Sequence, residues 1–162
     1  MIIGVISDTH DQMVMIRKSI DVFKSEGVGA VIHCGDFVAP FAAKLFQGLN
    51  CPFYSVFGNN DGEREGLIKT VAPFGELHNP PHLYTIGGKL FLVNHAPICE
   101  KDLDKFPQPD IILYGHTHKP ERAFIKGIPS YNPGEACAWL TGEASIGLLD
   151  VSNNDYRRVV FS

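Results

Sequence analysis

A chain of 162 residues, 44% of them hydrophobic, fits a single domain over residues 1–162 with a substantial core. A formal net charge of -4 and a pI near 5.9 give no general attraction to polyanions, which argues against a protein that coats extended nucleic acid or an anionic membrane. The opening apolar run lacks a preceding basic region and meets Asp8 at once, and no later run approaches the roughly 20 residues of a membrane span, so a cytoplasmic protein is expected.

The first half alternates strand-like and helix-like segments. Met1 to Ile6 is a short apolar run suited to a buried strand, and Met13, Ile16, Ile20 and Phe23 then recur at helical spacing among charged residues. Gly27 supplies a helix stop. Ala30 to His33 predicts a second strand, Pro40 to Leu49 a second helix with Pro in its first turn, Pro52 to Phe57 a third strand, and Glu63 to Val71 a third helix.

The second half is richer in hairpins. Leu83 to Ile86 and Lys89 to Asn94 flank Gly87-Gly88, a two-residue hairpin signal. Ile111 to Tyr114 is another apolar strand, Glu121 to Ile125 and Ile128 to Tyr131 flank Lys126-Gly127, and Ser145 to Val151 pairs by pattern with Tyr156 to Phe161. The architecture this predicts is α/β: two mixed sheets packed face to face with helices outside, a four-layer α/β/β/α sandwich.

Metal-suited groups follow five of these strands. Asp8 and His10 follow the first, Asp36 the second, Asn59 the third, His95 the first hairpin, and His116 with His118 the strand ending at Tyr114. In α/β sheets ligands collect at the carboxyl edge, so residues far apart in sequence converge there. Taken singly, several of these features have a plainer reading. Asp8-Thr9-His10, Gly35-Asp36 and Gly58-Asn59-Asn60-Asp61 all resemble ordinary turns, whereas two imidazoles two residues apart in Gly115-His116-Thr117-His118 have common metal-ligand spacing.

As an ordered set, Asp8-x-His10, Gly35-Asp36, Gly58-Asn59-Asn60-Asp61, His95 and Gly115-His116-x-His118 resemble the calcineurin-like metallophosphoesterase family, and the short chain resembles its compact bacterial and archaeal phosphodiesterase branch. The resemblance implies a phosphodiesterase in which hydroxide, formed at a two-metal centre, attacks a small phosphate-ester substrate. One metal would be held by Asp8, His10, Asp36 and His118, the other by Asp36, Asn59, His95 and His116, with Asp36 bridging. Mixed oxygen and nitrogen ligation fits manganese first, with iron, zinc and nickel also compatible, better than magnesium or calcium. The resemblance extends to a retromer subunit of similar size that keeps the fold as a scaffold; the full set of ligand types favours the enzyme. A homo-oligomer is compatible with the chain.

One departure stands out. The family's GNH histidine, often proposed as the acid for the leaving group, is Asn60 here, and an amide delivers no proton at neutral pH, so esters with acidic leaving groups are the expected substrates. Among neighbouring residues, Asp61 is expected to cap the helix beginning near Glu63, His33 to be structural, and His78 and His82 to sit in a solvated Pro-rich loop. Asn132 could orient substrate or form a turn, and Trp139 could face a partner or the core. Cys34, Cys51, Cys99 and Cys137 are widely spaced without a CxxC pair and read as reduced thiols.

Overall fold

A computed structural model describes residues 1–161. Strands β1 (Ile2–Ile6), β2 (Ala30–His33), β3 (Phe53–Val56) and β4 (Gly75–His78) run parallel, and the closing hairpin β10 (Ala144–Asp150) and β11 (Asp155–Phe161) joins them antiparallel at β1, giving the order β11-β10-β1-β2-β3-β4. The second sheet has the order β5-β6-β7-β9-β8, built from β5 (His82–Ile86), β6 (Lys89–Val93), β7 (Ile111–Leu113), β8 (Glu121–Ile125) and β9 (Ile128–Asn132). Both sheets are mixed, and the four-layer arrangement is as the sequence predicts.

Three apolar clusters define the layers. Helices α1 (Met13–Ser25), α2 (Pro40–Ala43) and α3 (Arg64–Val71) cover the outer face of the first sheet, where Ile16, Ile20, Phe23, Phe46 and Leu67 meet Ile6, Val31 and Phe53. Ile3, Val5, Ile32, Val56, Phe91, Val93 and Leu113 interlock between the sheets, and Leu103 of the short helix α4 (Glu100–Leu103) packs with Leu92, Ile112 and Tyr114 on the far side. The 4-3 spacing of Ile16, Ile20 and Phe23 puts those side chains on one stripe of α1, and the helix ends where Val28 N–H reaches the Phe23 carbonyl at 3.1 Å while Gly27 takes φ 62°.

Some local expectations are revised. The stretch from Pro40 is helical only to Ala43 and continues as a 3-10 segment over Lys44–Gly48. The last hairpin, which the sequence assigned to neither sheet, extends the first: β10 lies between β11 and β1 with both faces covered, which is why it reads as an unbroken apolar run rather than an alternation. His78 and His82 are not in a solvated loop: they end β4 and begin β5, and their rings stack at 3.9 Å, linking an edge strand of each sheet. A four-residue edge strand carrying Gly75 offers too little periodicity to be seen in sequence.

Candidate metal centre

Because β1, β2 and β3 are parallel and in register, with Ile6 opposite His33 and His33 opposite Ser55, the loops leaving them emerge side by side. The loops after β6 and β7 emerge together in the second sheet, tied by Gly115 N–H donating to the His95 carbonyl at 2.8 Å, and two bonds join them to the first set: His95 Nδ1 lies 2.8 Å from the Cys34 carbonyl, and His116 N–H donates to Asp8 Oδ2 at 3.1 Å. Space at this junction is minimal. A Cβ on Gly58 would stand 2.0 Å from Asp36 Oδ1, and one on Gly115 1.8 Å from Ser7 Oγ and 2.6 Å from Asp8 Oδ2, so a side chain at either position would displace a carboxylate. Of the predicted residues, Asp8, His10, Asp36, His116 and His118 all hold positive φ, between 39° and 67°, a conformation that non-glycine residues adopt where the surroundings enforce it.

The donor atoms fall into two overlapping groups, each within 4.8 Å: Asp8, His10 and His118, and Asp8, Asp36 and His95. Asp36 also touches both sides, its Oδ2 standing 3.5 Å from His10 Nε2 and 3.3 Å from His95 Nε2. Asn59 Oδ1 reaches His95 Nε2 at 2.9 Å. His116 stands at the solvent edge with its ring 5.0 Å from that of His95, and it belongs to neither group. Asp8, Asp36 and His95 form a buried floor, His10 and His118 are half-buried, and Asn59, Asn60 and His116 open to solvent.

The tautomers follow from the outer contacts. A carbonyl oxygen only accepts, so His95 Nδ1 carries the proton given to Cys34; Glu135 Oε2, 2.6 Å from His118 Nδ1, fixes His118 the same way. The Nε2 lone pairs of both rings then face Asp36, Asn59 and Asp8 oxygens that are themselves acceptors. Asp8 Oδ1 and His10 Nε2 are buried with no hydrogen-bond partner at all. Buried acceptors turned toward one another are unfavourable unless a positive species lies between them, so the donor set fits a divalent cation. The charges behave accordingly: burial raises the Asp8 carboxyl, with His95 and His118 opposing, whereas Asp36 overcomes the same penalty through bonds from His95 and Asn60 and stays below the usual carboxylate range. Where no cation lies between them a proton takes its place: burial disfavours one on His95, but Asp36 and Asp8 outweigh it and raise that imidazole, whose Nε2–H then donates to Asp36.

Three supporting roles escaped the sequence reading. Asn60, besides replacing a histidine, clamps Asp36, with its backbone N–H on Oδ1 at 2.8 Å and its side-chain Nδ2 on Oδ2 at 2.7 Å. Asp61 does not cap α3; its carboxylate accepts from Asp36, Val38 and Gly58 N–H groups at 3.1, 2.8 and 2.7 Å and thereby sews the two loops together. Glu135, fully buried, accepts from Leu140 N–H, and bonds from His118 Nδ1, Thr141 Oγ1, Thr141 N–H and Cys137 Sγ hold its pKa down to about 2 against burial that would raise it. His33 is structural as expected, stacked 3.7 Å from Phe37 and accepting from Gly35 N–H. Asn132 forms the turn, accepting from Gly134 N–H, and donates to the Gly115 carbonyl, which braces the His116 loop. Trp139 is 60% exposed beside His10.

Comparison with known proteins identifies the fold and the family. The sequence model for the calcineurin-like phosphoesterase superfamily domain matches residues 1–154. The chain is 40% identical to phosphodiesterase MJ0936 of Methanocaldococcus jannaschii over 98% of each sequence. It superposes with a TM-score of 0.91 on the structure described as a novel archaeal phosphodiesterase, at 37% identity over 99% of this chain and 100% of that one. Vps29 of Entamoeba histolytica shares the fold alone, with a TM-score of 0.70 at 19% identity over 100% of both chains.

Proposed function

The chain belongs to the calcineurin-like phosphoesterase superfamily and is a metal-dependent phosphodiesterase, and from that premise we propose that Asp8, His10, Asp36, Asn59, His95, His116 and His118 hold two divalent transition-metal ions, manganese first among them. The observation that carries the assignment is the set of buried polar atoms facing one another with no hydrogen-bond partner, Asp8 Oδ1 and His10 Nε2 above all. Mixed oxygen and imidazole ligands without thiolate suit manganese, and iron, zinc and nickel after it. Bound there, such ions supply Lewis acidity to the phosphoryl oxygens and a water of lowered pKa.

The protein's own part is positioning. Asp36 stands between His10 and His95 and is held in that orientation by two bonds from Asn60. Glu135 and the Cys34 carbonyl keep the proton of His118 and of His95 on Nδ1, leaving each Nε2 free to ligate. With an amide at Asn60, no proton comes from that position to the departing oxygen, so substrates whose leaving group is already acidic, aryl phosphodiesters among them, turn over fastest. The four cysteines are unpaired, which supports a reducing, cytoplasmic setting, and no helix among the described residues is long and apolar enough to cross a membrane.

A matrix of metals and substrates tests the proposal. Chelated protein should hydrolyse nothing, and manganese should restore hydrolysis of aryl phosphodiesters over monoesters. Silence with every metal, although metal binds, would select a scaffold instead.

A further inference from the structure

Trp139 and Leu140 are 60% and 75% exposed, and they are adjacent. Scattered apolar residues on a surface need no explanation, but this pair is placed against the metal centre. The indole ring lies 6.1 Å from the ring of His10, tilted by 31°, and His10 in turn stacks at 5.1 Å on His118. The three rings make a continuous row that runs from the half-buried donors to solvent.

The loop that presents Trp139 is built rather than slack. Ala136 N–H donates to the Ser7 carbonyl at 3.0 Å and Cys137 N–H to the Asp8 carbonyl at 3.2 Å, which anchors the loop to β1's exit. Ala138 then takes φ 60°, a left-handed turn for a residue with a side chain. Beyond Trp139, Leu140 N–H and both donors of Thr141 close onto Glu135, the carboxylate that fixes His118. Strain and hydrogen bonds thus hold a large apolar ring in water at a set distance from His10, one of the residues assigned to the metals.

We infer that Trp139 is the stacking platform for a planar aromatic substituent on the phosphoryl group, an aryl ring or a nucleobase, so that the enzyme favours aromatic over aliphatic phosphate esters. The inference deepens the proposed function and rests on it. A phosphoryl group held at Asp8, His10 and His118 has its substituents within one ring of the indole, and a flat π-face gains free energy from any aromatic ring without hydrogen-bond readout. Trp139 is therefore a positioning residue, acting on the substrate's periphery rather than on the reacting atoms.

Trp139 is the sole tryptophan of the chain, so its own fluorescence reports the contact. Manganese-loaded protein is titrated with two matched pairs, phenylphosphonate against methylphosphonate and adenosine 5′-phosphate against ribose 5-phosphate, reading indole emission and competitive inhibition of an aryl phosphodiester. The aromatic member of a pair should bind about ten-fold more tightly than the aliphatic one, the usual scale of one stacked ring, and should change the emission. Both pairs responding assigns nucleobases as well as simple aryl groups; the phenyl pair alone assigns aryl groups. Trp139→Ala should bring the aromatic preference close to unity, and Trp139→Phe should keep most of it. An undiminished preference in Trp139→Ala, or emission blind to both aromatic ligands, overturns the inference. So does a Trp139→Ala change that instead splits a dimer in sedimentation, which would make the pair a contact between copies. Should the wild type hydrolyse no ester, the proposed function fails, and the fluorescence titration still decides the platform.

Discussion

Replacing Glu135 by glutamine should separate the fold from the metal centre. The carboxylate takes Thr141 N–H and Oγ1–H on Oε1 at 2.5 and 2.7 Å, and the His118 Nδ1–H on Oε2 at 2.6 Å, with Leu140 N–H shared between the two oxygens. Glutamine has one oxygen to offer. If it faces Thr141, the amide NH2 meets His118 Nδ1, which can accept only after the imidazole moves its proton to Nε2, the atom that looks toward Asp8 at 3.5 Å. The ring is then in the wrong tautomer to ligate. If the amide faces the other way, donors oppose donors at Thr141 and Leu140. Loss of such an outer partner weakens metal affinity by roughly 10- to 100-fold, and that is the expected drop for Glu135→Gln in a calorimetric manganese titration at pH 7. Glu135→Ala goes further, stranding at least two buried donors at about 1–3 kcal/mol each; the melting temperature should fall by roughly 2–4 °C per kcal/mol. A Glu135→Gln protein that binds manganese as tightly as wild type would refute the tautomer argument.

The remaining predictions draw on other residues. His33 is fully buried, and desolvation first of all pushes its imidazole well below the ordinary 6.5. Below that pH the unfolded chain takes up a proton that the folded one refuses, so stability is full above about 6.5 and declines as the solution is acidified, by up to about 1.4 kcal/mol per pH unit. In chelator, the melting temperature of wild type between pH 6.5 and 5 should slope more steeply than that of His33→Asn; parallel slopes would refute the assignment. Asn60→His should restore a proton donor, narrowing the rate gap between nitrophenyl and alkyl leaving groups by at least ten-fold, and an unchanged gap would show that this position does not govern protonation. Gly58→Ala drives a methyl group to 2.0 Å from Asp36 Oδ1 and 2.4 Å from its backbone N, so manganese binding should be lost by titration and the melting temperature should fall; retained binding would mean that Asp36 is not a ligand.

Much of this was legible in the chain because parallel strands convert sequence order into spatial adjacency. Once β1, β2 and β3 are recognised, Asp8, Asp36 and Asn59 must leave the same edge, and the hairpins declare themselves by glycine pairs such as Gly87 and Gly88, both at positive φ. The supporting carboxylates were not legible. Glu135 follows a recognisable Asn132-Pro133-Gly134 turn, but nothing local distinguishes it from a solvated acid; only the pairing of β9 beside β7 carries it under His118. Asp61 carried a local helix-cap signal that lost to three backbone donors from separate loops, a contact defined only after folding. Asn60 invited reading as a missing acid, and its hydrogen bonds to Asp36 became visible only with both loops in place.

The central claim is that one chain carries two cations joined through Asp36. Manganese titrated into chelated protein and followed by electron paramagnetic resonance tests it most directly. The account predicts two ions per chain and the spectrum of a spin-coupled pair, abolished by Asp36→Ala. A single uncoupled ion at saturation, or a coupled pair that survives Asp36→Ala, would contradict it.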